Sequence, residues 1–152
     1  MNDNLICPKC KSKEEWSNIK ENNLMESSSD LFGTNFTNAP RIEPNNKQLK
    51  VADLSKKIAK ELMDIKIDVV FVKGGNNMVV AQYGNRCLTF NVSRLNNGFF
   101  DIPVSQATLD LILHELGHEA GNHTEDSYHK LITELGAKLT LLALNKPEFF
   151  EI

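Results

Sequence analysis

The chain has 152 residues, 41% of them hydrophobic, and 17 basic against 20 acidic side chains give a net charge of −3. That suits one domain with a core that needs no disulfides, and it gives no long-range attraction toward nucleic acid or anionic lipid. No apolar run approaches a membrane span and the polar N-terminus does not read as a secretory leader, so a cytoplasmic protein is expected.

At the N-terminus, Cys7-Pro8-Lys9-Cys10 has a turn-like spacing able to chelate zinc. A closed structural zinc site takes four ligands, and the one other cysteine, Cys87, falls in an expected strand. Cys7 and Cys10 therefore read either as half a zinc knuckle completed by a partner chain or as part of a reduced tail. The lysine groups at Lys9, Lys11 and Lys13 and at Lys56, Lys57 and Lys60 read as solvated faces in preference to a nucleic-acid footprint. Residues 14–46 are rich in Asn, Ser, Glu and Pro without a sustained period, and read as an extended segment with Trp16, Leu24, Phe32 and Phe36 as apolar anchors. Residues 1–46 are thus a tail and lead-in, and residues 47–152 the folded domain.

The domain starts with a helix predicted over 47–64 from Leu49, Leu54, Ile58 and Leu62. Strands are expected at 67–72, 78–83 and 87–92, with turns at Gly74-Gly75-Asn76-Asn77 and Gly84-Asn85. In the third, Leu88, Phe90 and Val92 alternate with more polar neighbours, which predicts one buried face. Gly74-Gly75 is not followed by the Lys-Ser/Thr pair and helix of a phosphate loop. A helix from about 104 to 119 starts near Pro103 and buries Leu109, Ile112, Leu113 and Leu116. Gly121-Asn122 ends it, Thr124 caps the next helix, and Tyr128, Leu131, Ile132, Leu135, Leu139 and Leu142 form that helix's apolar stripe. The sum is an α+β fold, a small antiparallel or mixed sheet packed on helices, with two antiparallel helices at its C-terminal end.

The chemistry concentrates in His114-Glu115-Leu116-Gly117-His118. Positions i and i+4 of a helix share a face, so two imidazoles can reach one metal, while Glu115 lies beside them as a general base for an activated water. Catalytic zinc takes a third protein ligand. His123 on the following turn, His129 in the first turns of the next helix and Glu134 deeper along it all compete for that place. His129 and Glu134 can otherwise orient a ligand or steady an oxyanion, and Tyr128 can either pack in the helix seam or donate its hydroxyl to a reaction intermediate.

Taken together, Leu88 to Val92, Leu111 to His118, His123 and Tyr128 resemble a minimal zincin metallopeptidase of the SprT, WLM and YgjP-like group. There a strand precedes the His-Glu-x-x-His helix, a third histidine follows the turn, and an aromatic residue opens the next helix. The resemblance implies a minimal zincin-like fold, a Zn2+ cofactor, His123 as third ligand and Tyr128 as the packing aromatic. The interval from His118 to His123 is short for the group and that from His123 to Tyr128 one residue long, which leaves His129 open. No histidine stands six residues after His118, so the longer metzincin motif is not met. A second resemblance, from about Lys66 to Leu139, is to the His-Glu-x-x-His domain appended to certain bacterial proteins with Hsp90-type ATPase regions. It is carried by Leu88 to Leu95, Phe99-Phe100-Asp101 and Tyr128-His129, and no ATPase module accompanies it. The expected activity is peptide-bond hydrolysis in a protein or peptide substrate. The alternative is a protein-binding adaptor that keeps the fold with little or no catalysis.

Overall fold

The structure, a computed structural model, describes residues 39–74 and 79–152. Cys7, Cys10, the first lysine group and the apolar anchors of the N-terminal segment lie outside the described residues, as does most of the Gly74 to Asn77 turn. The fold is α+β: three α-helices and a three-stranded mixed sheet among the described residues share one core.

Helix α1, Asn46–Met63, begins with a reciprocal cap. The Asn45 side chain accepts from the Gln48 amide at 3.0 Å and the Gln48 side chain accepts from the Asn45 amide at 2.8 Å, which satisfies two amides that have no partner within the helix. Val51, Leu54, Ile58 and Leu62 form its buried stripe. Leu49, expected on that stripe, is 43% exposed. Two residues turn a helix through roughly 200°, so once Val51 faces the core Leu49 faces away.

Strands β1 (Asp68–Val72), β2 (Ala81–Gly84) and β3 (Cys87–Asn91) lie in the order β1-β3-β2. β2 and β3 form an antiparallel hairpin, whereas β1 runs parallel to β3, with Phe71 opposite Phe90 and the two rings stacked at 5.5 Å. The expected alternation holds for Leu88 and Phe90, both fully buried, while Cys87 and Thr89 are half-buried on the other face. Outside β1, the Ile42 amide donates to the Phe71 carbonyl at 3.0 Å and the Lys73 amide to the Pro40 carbonyl at 3.1 Å. The lead-in segment therefore covers that edge, and β2 forms the opposite edge. The two residues between β2 and β3, Asn85 and Arg86, have φ of 51° and 56°. A tight hairpin turn of this hand requires positive φ at both central positions and favours Asn-Gly there; a side chain such as that of Arg86 costs roughly 1–2 kcal/mol.

Helix α2, Gln106–Leu116, starts later than expected, because Ser105 and not Pro103 supplies the cap: its hydroxyl accepts from the Thr108 amide at 3.2 Å. The helix also ends sooner, and Gly117–Glu119 forms a single 3-10 turn. Helix α3, Asp126–Asn145, follows with Glu125 at the cap position instead of Thr124. It packs on α1 and α2, and α2 in turn packs on β2, so the edge strand and the end of α2 meet. Tyr128 and Leu135 are fully buried in α3, and Leu142 is buried toward its end. After α3, a short 3-10 segment, Pro147–Phe150, returns to α1, where the Lys57 ammonium bonds the Phe149 carbonyl at 2.8 Å and lies over its ring.

Candidate metal centre

The last turn of α2 carries His114 and Glu115, and Glu115 is buried to 6% exposure. The α-helical ladder stops at Leu116, so His118 is presented by the tighter 3-10 turn and not by a continuous α-helix. Gly117 allows that turn to lie against α3. A methyl group added there would come 2.7 Å from Ile132 Cγ1 and 2.8 Å from Tyr128 Cε2, inside any real carbon contact. Gly121, with φ of 144°, then reverses the chain and delivers His123 back to the end of α2.

His114, His118 and His123 come together, each offering one nitrogen within 4.8 Å of the others, and the three can hold a metal ion. The Nε2 atoms of His114 and His123 are 3.1 Å apart. Two imidazole nitrogens about 2.05 Å from one tetrahedral zinc lie about 3.3 Å from each other, so the His114–His123 pair is already near ligand spacing. Among the described residues the group consists of three histidines, the count typical of a catalytic zinc site and one short of a closed structural site.

The outer nitrogens explain why the rings are set this way. The buried Tyr128 hydroxyl donates to the His114 carbonyl at 3.2 Å and lies 3.1 Å from His114 Nδ1. Its one proton is committed to the carbonyl, so Nδ1 donates to it and Nε2 keeps the lone pair a metal needs. His118 Nδ1 lies 3.0 Å from the Gly121 carbonyl, which can only accept, and the same tautomer follows. Tyr128 thus packs in the helix seam, and its hydroxyl is engaged with His114.

The other candidates for third ligand are elsewhere. His129 Nε2 donates to the His123 carbonyl at 2.7 Å, so it braces the backbone of a candidate ligand and does not join the group. Glu134 lies on the outer face of α3, 2.6 Å from the Lys138 ammonium, whose hydrogen bond and charge hold its carboxyl below the usual carboxylate range. Of the three residues left open by spacing, the structure brings only His123 to His114 and His118.

One set of contacts was not foreseen. Glu119, next to His118, accepts from the Tyr83 hydroxyl at 2.6 Å through Oε2 and from Arg86 Nε at 3.3 Å through Oε1. Burial, reinforced by that bond to a carboxylate, pushes the Tyr83 hydroxyl well above the ordinary tyrosine range. The available signal in the sequence is Arg86 itself, which stands where a two-residue hairpin turn prefers glycine.

Comparison with family models, with curated proteins and with solved structures found no match. Among the described residues no helix is long and apolar enough to cross a membrane.

Proposed function

We propose that the chain is a zinc-dependent metallopeptidase that hydrolyses peptide bonds in a protein or peptide substrate, built like the minimal zincins of the SprT, WLM and YgjP-like group. The observation that carries this reading is the convergence of three histidine nitrogens, with a buried carboxylate, Glu115, next in sequence to one of them. His114, His118 and His123 hold the ion. When bound, Zn2+ supplies Lewis acidity, which makes a water acidic near neutral pH and polarises a carbonyl. Glu115 accepts the proton of the attacking water and returns it to the departing amine. A carboxylate has no part in a site that merely binds zinc through three imidazoles, which favours hydrolysis over an adaptor. The β2 edge, packed beside α2, offers backbone groups to which an extended substrate can add as a strand, so recognition depends little on substrate sequence.

The test is metal content together with cleavage of an unfolded protein such as casein. One equivalent of zinc, cleavage abolished by a chelator and restored by zinc, and a Glu115→Gln variant that keeps its metal but loses roughly 10²–10⁴-fold in rate are expected. Zinc at full stoichiometry with no cleavage above the Glu115→Gln background would instead identify a binding module.

A further inference from the structure

We infer that Tyr83, Arg86 and Glu119 form a clamp from the β2–β3 hairpin that sets the metal affinity of the histidine site by fixing the turn that carries His118. This rests on the metal-binding part of the proposed function and names positioning residues for it. The need for a clamp follows from the backbone. His118 lies past the end of the α-helical ladder, in a three-residue 3-10 turn of poorer hydrogen-bond geometry. That turn is tied to α3 by the Ser127 hydroxyl, which donates to the Ala120 carbonyl at 2.9 Å. On the opposite side it is tied to the sheet through Glu119, with each carboxylate oxygen engaged by a different residue of the hairpin.

The two bonds are unequal. The 2.6 Å contact from Tyr83 is in the short range of hydrogen bonds to an ionised acceptor, and its ring is buried, so it is strong and geometrically strict. The Arg86 pair is more exposed and correspondingly weak. Arg86 nonetheless occupies a left-handed position at φ of 56°, where glycine would be unstrained. A side chain kept at a backbone conformation that disfavours it points to a role for that side chain, and here its Nε is on Glu119. Because Glu119 adjoins His118, motion of the carboxylate moves the ligand, whereas α3 reaches a ring nitrogen of His114 through Tyr128 and the His123 carbonyl through His129.

The strained position separates this role from simple stabilisation. Arg86→Gly relieves the backbone and removes the ion pair, so the metal-free protein is expected to melt no lower than the parent while zinc affinity, read by competition with a chromophoric chelator, falls about threefold. Tyr83→Phe is expected to lower zinc affinity about tenfold and to broaden the visible absorption bands of the cobalt-substituted protein. In a Glu119→Ala background neither change should weaken zinc binding further, because the shared partner is gone. Parental zinc affinity in both single variants, or effects that persist undiminished without Glu119, overturns the clamp and leaves the metal site standing. If His118→Ala binds zinc as tightly as the parent, the metal assignment fails and the clamp falls with it.

Discussion

The two halves of the candidate metal centre are held by different physics. His114 and Glu115 sit in the last regular turn of α2, whose Leu111, Ile112 and Leu116 are anchored in the core, and the rotation of one ring is set by a fully buried tyrosine. His118 and His123 sit beyond the regular helix, and their positions depend on a 3-10 turn, a reversal at Gly121 and bonds to the Gly121 and His123 carbonyls. The first half inherits its geometry from a helix that packing would form in any case. The second half is specified contact by contact, so single substitutions there should act on the site more than on the fold.

The largest expected effect separates ligands from braces within the second half. His118→Ala and His123→Ala should each lower zinc affinity by more than the roughly 10–100-fold that outer partners are worth, because each removes one of three donors. His129→Ala should keep one equivalent of zinc and lose affinity only within that outer-partner range, since it deletes a bond to a carbonyl and no ligand atom. Glu134→Gln should leave zinc stoichiometry and affinity unchanged, its carboxylate being paired with Lys138 away from the site. Equilibrium dialysis across these four variants checks the order, and comparable losses in the ligand variants and His129→Ala would erase the distinction.

A smaller effect is expected where the two halves join. Gly117 has right-handed helical φ, so alanine there gains up to about 1 kcal/mol of helix propensity. Against that, the new methyl meets Ile132 and the Tyr128 ring at contact distances that force both to move, and overpacking of this kind costs about 1–3 kcal/mol. Overpacking should win. Gly117→Ala is expected to unfold at lower denaturant and also to bind zinc more weakly, since the ring it displaces carries the hydroxyl on His114.

How much of this is legible in a sequence follows the same division. The apolar period of α1 and the alternation in β3 are local patterns, and local patterns survive folding; the differences lie at helix ends, where Ser105 and Glu125 take the cap positions and His118 falls in a 3-10 turn past α2 instead of on its continuous face. Leu49 shows the limit of a local pattern, since the choice between two overlapping stripes on α1 is made by what packs against it. The parallel pairing of β1 with β3 depends on contacts between segments distant in sequence, and spacing alone does not encode it. The third ligand was undecided for a related reason. Which of His123, His129 and Glu134 reaches the pair depends on how the chain reverses after His118, and the close approach of Gly117 to α3 and the bond from His129 to the His123 carbonyl, which accompany the turn at Gly121, leave no period to read.

Tyr128 tests the first half with the smallest expected change. Phenylalanine keeps the buried ring and its packing against Gly117, so the fold should be nearly unaffected. What is lost is the hydroxyl that accepts from His114 Nδ1, and with it the preference for the tautomer that leaves Nε2 unprotonated. The expected loss in zinc affinity is about tenfold, the low end for an outer partner, because the helix still directs the ring even when its tautomer is no longer chosen. A loss as large as that from His123→Ala would mean that the tyrosine, and not the helix, is what positions His114, and the two halves of the site would then be built alike.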